Sequence, residues 1–396
     1  MAEVITGLER FVSEGPGAAG LDPGSRVALL SHPASIDRDG RHAVELLSKL
    51  ERCRLAALFA PEHGLWGHEQ DMERVEGATE PTTGLRVISL YGATAASLAP
   101  RPADLEGLDG FVIDLQDVGS RYYTFIYTIS YVMEAARGAG LPVVVLDRPN
   151  PIGGEIVEGP LLDPSLSSFV GRYRLPVRHG MTVGELATMF NGAFGIGCDL
   201  RVVEMKGWSR SMQYEQTGLP WVPPSPNMPT PATARVYPGG CLVEGTNLSE
   251  GRGTTTPFEL VGAPWIDGDR LAEAMRRLGF GGVVFRPASF RPMFQKHAGQ
   301  SCRGVQVVVT DSGLFHPFSA YLALLREARL QEAELFRWRS EPYEFEENRP
   351  AIDLLLGREE LRPLIEAGAT LAEMESVWEG DAEEFGPLRS GFLRYR

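Results

Sequence analysis

The stretch GFVIDLQDVGSRYYTFIYTISYVMEAARGAGLPVVVLDRPNPIGG (110–154) reads as a strand, a helix and a second strand in succession. Residues 111–115 (FVIDL) and 142–146 (PVVVL) are short apolar runs, and residues 124–137 between them follow a helical pattern. Apolar strands of this length joined by a helix are buried on both faces and lie parallel, because a parallel neighbour needs a crossover long enough to hold a helix.

Outward from this unit the alternation continues. Strand candidates stand at 27–30, 55–60 and 87–90 before it and at 200–205 after it. Helices are expected over 42–50 and from Thr182, where Thr182 and Glu185 form a T-x-x-E capping box. The pattern predicts an α/β fold built on a mostly parallel sheet. Segment 220–262 interrupts it, being dense in Pro, Gly, Thr and Asn, and is expected to be a long functional loop. Beyond it come a helix over 269–278, strand candidates at 283–286 and 305–310, a helix over 317–332 and an acidic helical stretch after Glu346. These point to a smaller α+β unit, with a boundary near 230 dividing 1–230 from 231–396.

The chain's 45 Gly and 29 Pro exceed the usual share for 396 residues, so long ordered loops are expected. A net charge of −14 argues against nucleic acid or an anionic membrane surface as partner. Only Lys49, Lys206 and Lys296 are lysines, so basic contacts fall to arginine, which suits bidentate recognition of carboxylates. Cys53, Cys198, Cys241 and Cys302 lack paired spacing and read as buried thiols. No apolar run approaches the length of a membrane-spanning helix. The opening residues carry no basic region followed by an apolar stretch, so a cytoplasmic protein is expected, with export behind a removed leader as the alternative. Gly15 to Gly20 match G-x-G-x-x-G by letters only, since they precede a strand and include Pro16. No P-loop and no G-x-S-x-G elbow occurs, and no cofactor is expected.

In an open parallel sheet, ligands bind beyond the carboxyl ends of the strands. Those ends are polar here: Glu62 and His63 after 55–60, Asp117, Arg121 and Tyr123 after 111–115, and Asp147, Arg148 and Asn150 after 142–146. Glu62 stands out, because burial near an aromatic such as Trp66 raises a carboxyl toward the range of a general acid. An ion pair with an arginine is the plainer reading. His63, His68 and Asp71 offer metal-ligand types, but the H-x4-H-E spacing matches no strong pattern. A second cluster, Glu244, Asn247, Glu250, Arg252 and Thr254, suits sugar hydroxyls together with an anionic group. Trp208, Trp221, Tyr237 and Trp265 either stack on a sugar face or belong to the core.

The motifs PEHGLWG (61–67), SLYG (89–92), DLQDVGSRYYTFIYT (114–128), VLDRPNPIGG (145–154), RHGMTVGELA (178–187), WVPPSPNMPT (221–230) and YPGGCLVEGTNLSEGRGTTTPFELVGAPW (237–265) resemble those of the NamZ-type exo-β-N-acetylmuramidases. The resemblance implies a Rossmann-like N-terminal domain, a smaller C-terminal domain and a cleft between them. It implies release of β-1,4-linked N-acetylmuramic acid from the non-reducing ends of peptidoglycan fragments, with Glu62 of the PEHG motif as the favoured catalytic residue. On this reading Glu62 is the general acid, and Glu250, Glu244 and Asp117, in that order, are candidates for the second catalytic group. Arg121 and Arg252 are expected on the lactyl carboxylate, with His63, Tyr123, Asn150 and Asn247 as further substrate contacts. A metal-dependent hydrolase using His63, His68 and Asp71, or a non-catalytic muropeptide-binding protein, are the alternatives.

Overall fold

The computed structural model describes residues 3–70, 72–73 and 77–396. Its larger sheet has seven strands: β1 (Ser25–Ser31), β2 (Cys53–Ala60), β3 (Ala78–Thr79), β4 (Arg86–Ser89), β5 (Gly110–Asp114), β6 (Val143–Leu146) and β7 (Leu200–Val203). Their order is β3-β4-β2-β1-β5-β6-β7. Every pairing is parallel except that of the two-residue β3 with β4. Period-two alternation explains why both faces are buried. Val27, Leu29, Val112, Val144 and Leu146 point to the side covered by helices Gly7–Glu14 and Ala43–Ser48. Ala28, Leu30, Phe111, Ile113, Val143 and Val145 point to the side covered by helices Phe125–Ala139 and Val183–Gly192. The expected capping box is present: the Thr182 hydroxyl accepts from the Glu185 amide, and the Glu185 carboxylate accepts from the Thr182 amide.

The second sheet is antiparallel, with β8 (Leu260–Ala263), β9 (Val283–Phe290) and β10 (Cys302–Val309) in the order β8-β10-β9. Helix Gly268–Arg277 packs on it, and helix Pro317–Gln331 runs through the buried centre of this half. The four cysteines are buried and unpaired with one another.

Segment 220–262 departs from the expected loop. It holds helix Pro231–Gly240, a 3₁₀ turn Cys241–Gly245 and β8. Pro231 sits in the first turn after an N-cap at Thr230, where a missing amide costs nothing, and Pro238 falls near the end. Gly239 allows this helix to approach Pro317–Gln331 closely, since a Cβ there would stand 2.0 Å from the Pro317 carbonyl oxygen. The Pro and Gly that resembled loop composition therefore serve a capped helix and a close crossing.

Candidate active site

Glu62 is delivered by the end of β2. A turn closed by the Gly64 amide on the Pro61 carbonyl, 3.1 Å, projects it beyond the sheet. His63 takes a left-handed conformation in this turn, φ 71°, a strained state for a side chain bearing a Cβ. Glu62 is 5% exposed, and its Oε2 accepts from the Thr124 hydroxyl at 2.8 Å. Thr124 is the N-cap of helix Phe125–Ala139, so its side chain serves Glu62 in place of the helix end. The His63 Nδ1–H donates to the Glu69 carbonyl, 2.9 Å, which leaves Nε2 with the lone pair when the ring is neutral.

The second half contributes the opposite wall. Glu244, on the turn Cys241–Gly245, accepts from Arg252 Nη2 at 2.7 Å and from the Tyr343 hydroxyl at 2.7 Å. Glu250 lies 3.4 Å from Arg252 Nε and accepts from Lys296 Nζ at 2.8 Å. Lys296 also donates to the carbonyls of Val243 and Leu248, so it locks the cluster to the backbone. The Arg252 guanidinium lies over the Phe258 ring, 5.1 Å from its centroid.

Two cavities meet at Glu244. The inner one, about 40 Å³, is lined by Glu62, His63, Tyr123, Thr124, Ser225, Asn227, Tyr237, Arg252 and Tyr343 among others. The outer one, about 730 Å³, shares Glu244 and adds Glu250, Asn247, Lys296, Trp338 and Arg339. Burial pushes the Tyr123 phenol well above its ordinary value, and its hydroxyl has no well-formed hydrogen bond among the described residues. The side chains facing the inner cavity therefore include three carboxylates (Glu62, Glu244 and Glu344), a guanidinium and several neutral donors, a set suited to a polar ligand with ring hydroxyls.

Glu62, His63, Tyr123, Glu244 and Arg252 thus come together, whereas other expected residues have different tasks. Arg121 is fully buried and does not line the cavity. It donates to the carbonyls of Pro160 (2.7 Å) and Leu175 (2.9 Å), and to Leu355 (3.0 Å) and Leu356 (3.3 Å) at the carboxyl end of helix Ala351–Leu356. With both Nη atoms committed to carbonyls and the Nε–H buried away from the cavity, this guanidinium is not placed to meet a substrate anion. Asn150 spends its amide on the Met181 carbonyl and its oxygen on the Ile152 amide. Asp117 is buried behind the cavity, accepting from the Gly119 amide at 2.7 Å and lying 3.4 Å from His179 Nε2. Asn247 borders the outer cavity, but its side chain bonds the Leu335 carbonyl and the Arg337 amide. Trp66 is half exposed against His42, and the aromatics around Glu62 are Tyr123, Phe125 and Tyr237 instead. Trp208 and Trp221 are packing residues, the second bonded to the Met228 carbonyl.

His68 is exposed and lies 3.0 Å from Glu69, and Asp71 lies outside the described residues. Among the described residues no three His, Cys, Asp or Glu side chains gather as metal ligands. Tyr343 and Glu344 also line the inner cavity and carry no signal of this in the sequence. They lie in the acidic run EPYEFEEN (341–348), which has no apolar period to mark it as a wall of a site.

Comparison with known proteins adds a third line. Family models for the N-terminal and C-terminal parts of the exo-β-N-acetylmuramidase NamZ match residues 27–232 and 235–395. The chain is 44% identical over 372 residues to the peptidoglycan β-N-acetylmuramidase NamZ of Bacillus subtilis strain 168, covering 94% of this chain and 87% of that one. Two crystal structures of DUF1343 family proteins from Bacteroides fragilis superpose on it. One has TM-score 0.88 at 32% identity over all of both chains; the other has TM-score 0.76 at 28% identity over all of this chain and 99% of that one.

Proposed function

The chain belongs to the NamZ exo-β-N-acetylmuramidase family, and from that premise we propose how its two-walled site works. The protein is an exo-acting glycoside hydrolase that releases N-acetylmuramic acid from the non-reducing ends of peptidoglycan fragments. The observation that carries the reading is the meeting of Glu62 and Glu244 at one cavity, each from a different half of the chain.

Glu62 is the general acid. Its one protein donor is the Thr124 hydroxyl, and it has no ion pair among the described residues, so its outer oxygen is available to a glycosidic oxygen. As the bond from the muramyl anomeric carbon breaks, Glu62 gives its proton to the departing oxygen, and water adds at the anomeric carbon while passing one proton to a carboxylate of the site. Glu244 is the second group, ahead of Glu250 and Asp117. It alone of the three lines the inner cavity, and its two donors favour an ionised carboxylate that can orient water or the N-acetyl group. Glu250 holds Arg252 and Lys296 in place, and Arg252 is left as the cation nearest the muramyl lactyl carboxylate. At about 40 Å³ the inner cavity holds a few waters rather than a sugar ring, so binding parts its walls.

The test is incubation with a chromogenic β-N-acetylmuramide beside the matching glucosaminide. Preferential release from the muramide is expected, because an Arg252 deprived of its anion loses a charge-assisted bond. A faster glucosaminide would overturn the substrate class, and binding without turnover of either would make the protein a muropeptide receptor.

A further inference from the structure

The outer cavity has a different character from the catalytic one. At about 730 Å³ it falls in the range of sites that enclose a sizeable ligand. Its two sides are fixed by Asn247. The backbone carbonyl of Asn247 accepts from His297 Nε2 at 2.8 Å, and its side-chain oxygen accepts from the Arg337 amide at 2.9 Å. The loop around His297 keeps two left-handed residues, Gln295 (φ 60°) and His297 (φ 56°), a cost tolerated where the surroundings impose it.

Arg337 and Arg339 project from the other side without an ion pair to any described carboxylate, and Trp338 between them lines the cavity. Arg337 is exposed, with Nη1 on the Phe336 carbonyl. Arg339 lies over the ring of Tyr343, 5.1 Å from its centroid, and the Tyr343 hydroxyl is bonded to Glu244. Arg339 therefore stands one aromatic ring beyond the proposed catalytic carboxylate, with Arg337 on the same rim. Glu341 shares this rim and takes the Ser340 amide, while Glu250 is already neutralised by Lys296 and Arg252.

Resting on the glycosidase reading above, we propose that the outer cavity binds the leaving part of the glycan and favours strands whose second muramyl residue is anionic. The first sugar past the cleaved bond is a neutral glucosaminyl unit. The one after it carries a carboxylate, which Arg337 and Arg339 bind while a ring packs on Trp338. The enzyme accordingly works faster on longer muramyl-ended strands than on the disaccharide.

The experiment compares kcat/KM for the muramyl-ended disaccharide, the tetrasaccharide, and the tetrasaccharide with its internal lactyl carboxylate reduced to the alcohol. The wild-type protein should prefer the anionic tetrasaccharide by about tenfold, as expected for a charge-assisted contact. In Arg337→Gln/Arg339→Gln the ratio of tetrasaccharide to disaccharide should fall toward one. Arg337→Glu, at an exposed position where folding is not at risk, should push it lower still. Equal preference for reduced and anionic tetrasaccharides, or a ratio unmoved in the variants, overturns the anion site and leaves the glycosidase reading standing. Failure of the wild-type protein to cleave any of the three would remove that reading itself.

Discussion

Glu62 and Glu244 face one another across a junction of two chain halves, and their tasks separate under substitution. Glu62→Gln keeps the shape and removes the proton, so turnover of the natural disaccharide should fall by about 10²–10⁴-fold. The loss should shrink on a substrate with a good leaving group, which needs little protonation. Near-normal kinetics on both substrates would move the acid role elsewhere. Arg121 predicts the opposite pattern. Arg121→Met strands four carbonyls in the interior and should lower stability by about 3 kcal/mol or more, read by urea unfolding, while the fraction that folds keeps its kcat. Loss of kcat with unchanged stability would return Arg121 to the substrate. The sequence pattern puts both residues beyond strand ends, and both stand there. What it could not see was the partner set: Arg121 follows a strand end as Glu62 does, yet its fork closes on the last turn of helix Ala351–Leu356, more than two hundred residues away.

At the level of elements, the parallel sheet was legible because period and length agree. Runs such as VVVL (143–146) are too short for helices and too apolar for exposed strands. The two edge pieces were not legible. β3 is two residues long, and β8 lies in Pro- and Gly-rich sequence in which Gly239 and Gly262 serve close contacts while Gly251 and Gly253 turn the chain. Gly239→Ala tests this. The added methyl would meet the Pro317 carbonyl at 2.0 Å, so helix Pro231–Gly240 must shift from its neighbour. A destabilisation of about 1–3 kcal/mol is expected by thermal unfolding. Because Glu244 follows directly on this helix, activity should fall too. A neutral outcome in both would mean that the crossing relaxes freely.

For the whole molecule, buried carboxyls set the response to pH. Burial raises Asp147 to about 6, against which Tyr395, Gly184 and Thr182 donate hydrogen bonds, and burial raises Glu158 to about 7. Both folded values exceed the ordinary ones of 3.8 and 4.5. Their stabilising contribution is therefore complete below the ordinary value and is lost as pH rises through the folded value. For Asp147 the change is on the order of 3 kcal/mol between about pH 4 and 6. Asp147→Asn removes the titration, so the stability of the variant relative to wild type should improve across that interval. Parallel pH curves for the two proteins would show that Asp147 does not titrate there.

Glu158 and Arg121 belong to the first half of the chain, but each takes part of its hydrogen bonding from the second. Glu158 accepts from the Ser319 amide at the start of helix Pro317–Gln331, as Arg121 donates at the end of Ala351–Leu356. An acid at one helix's start and a base at another's end are the favourable placements for both dipoles. Cut the polypeptide near residue 230, and each fragment would keep half of these bonds as raw, dry polarity. Neither half should therefore be a foldable module in isolation, and calorimetry of the intact protein should record a single endotherm in which the catalytic seam and its supports melt as one.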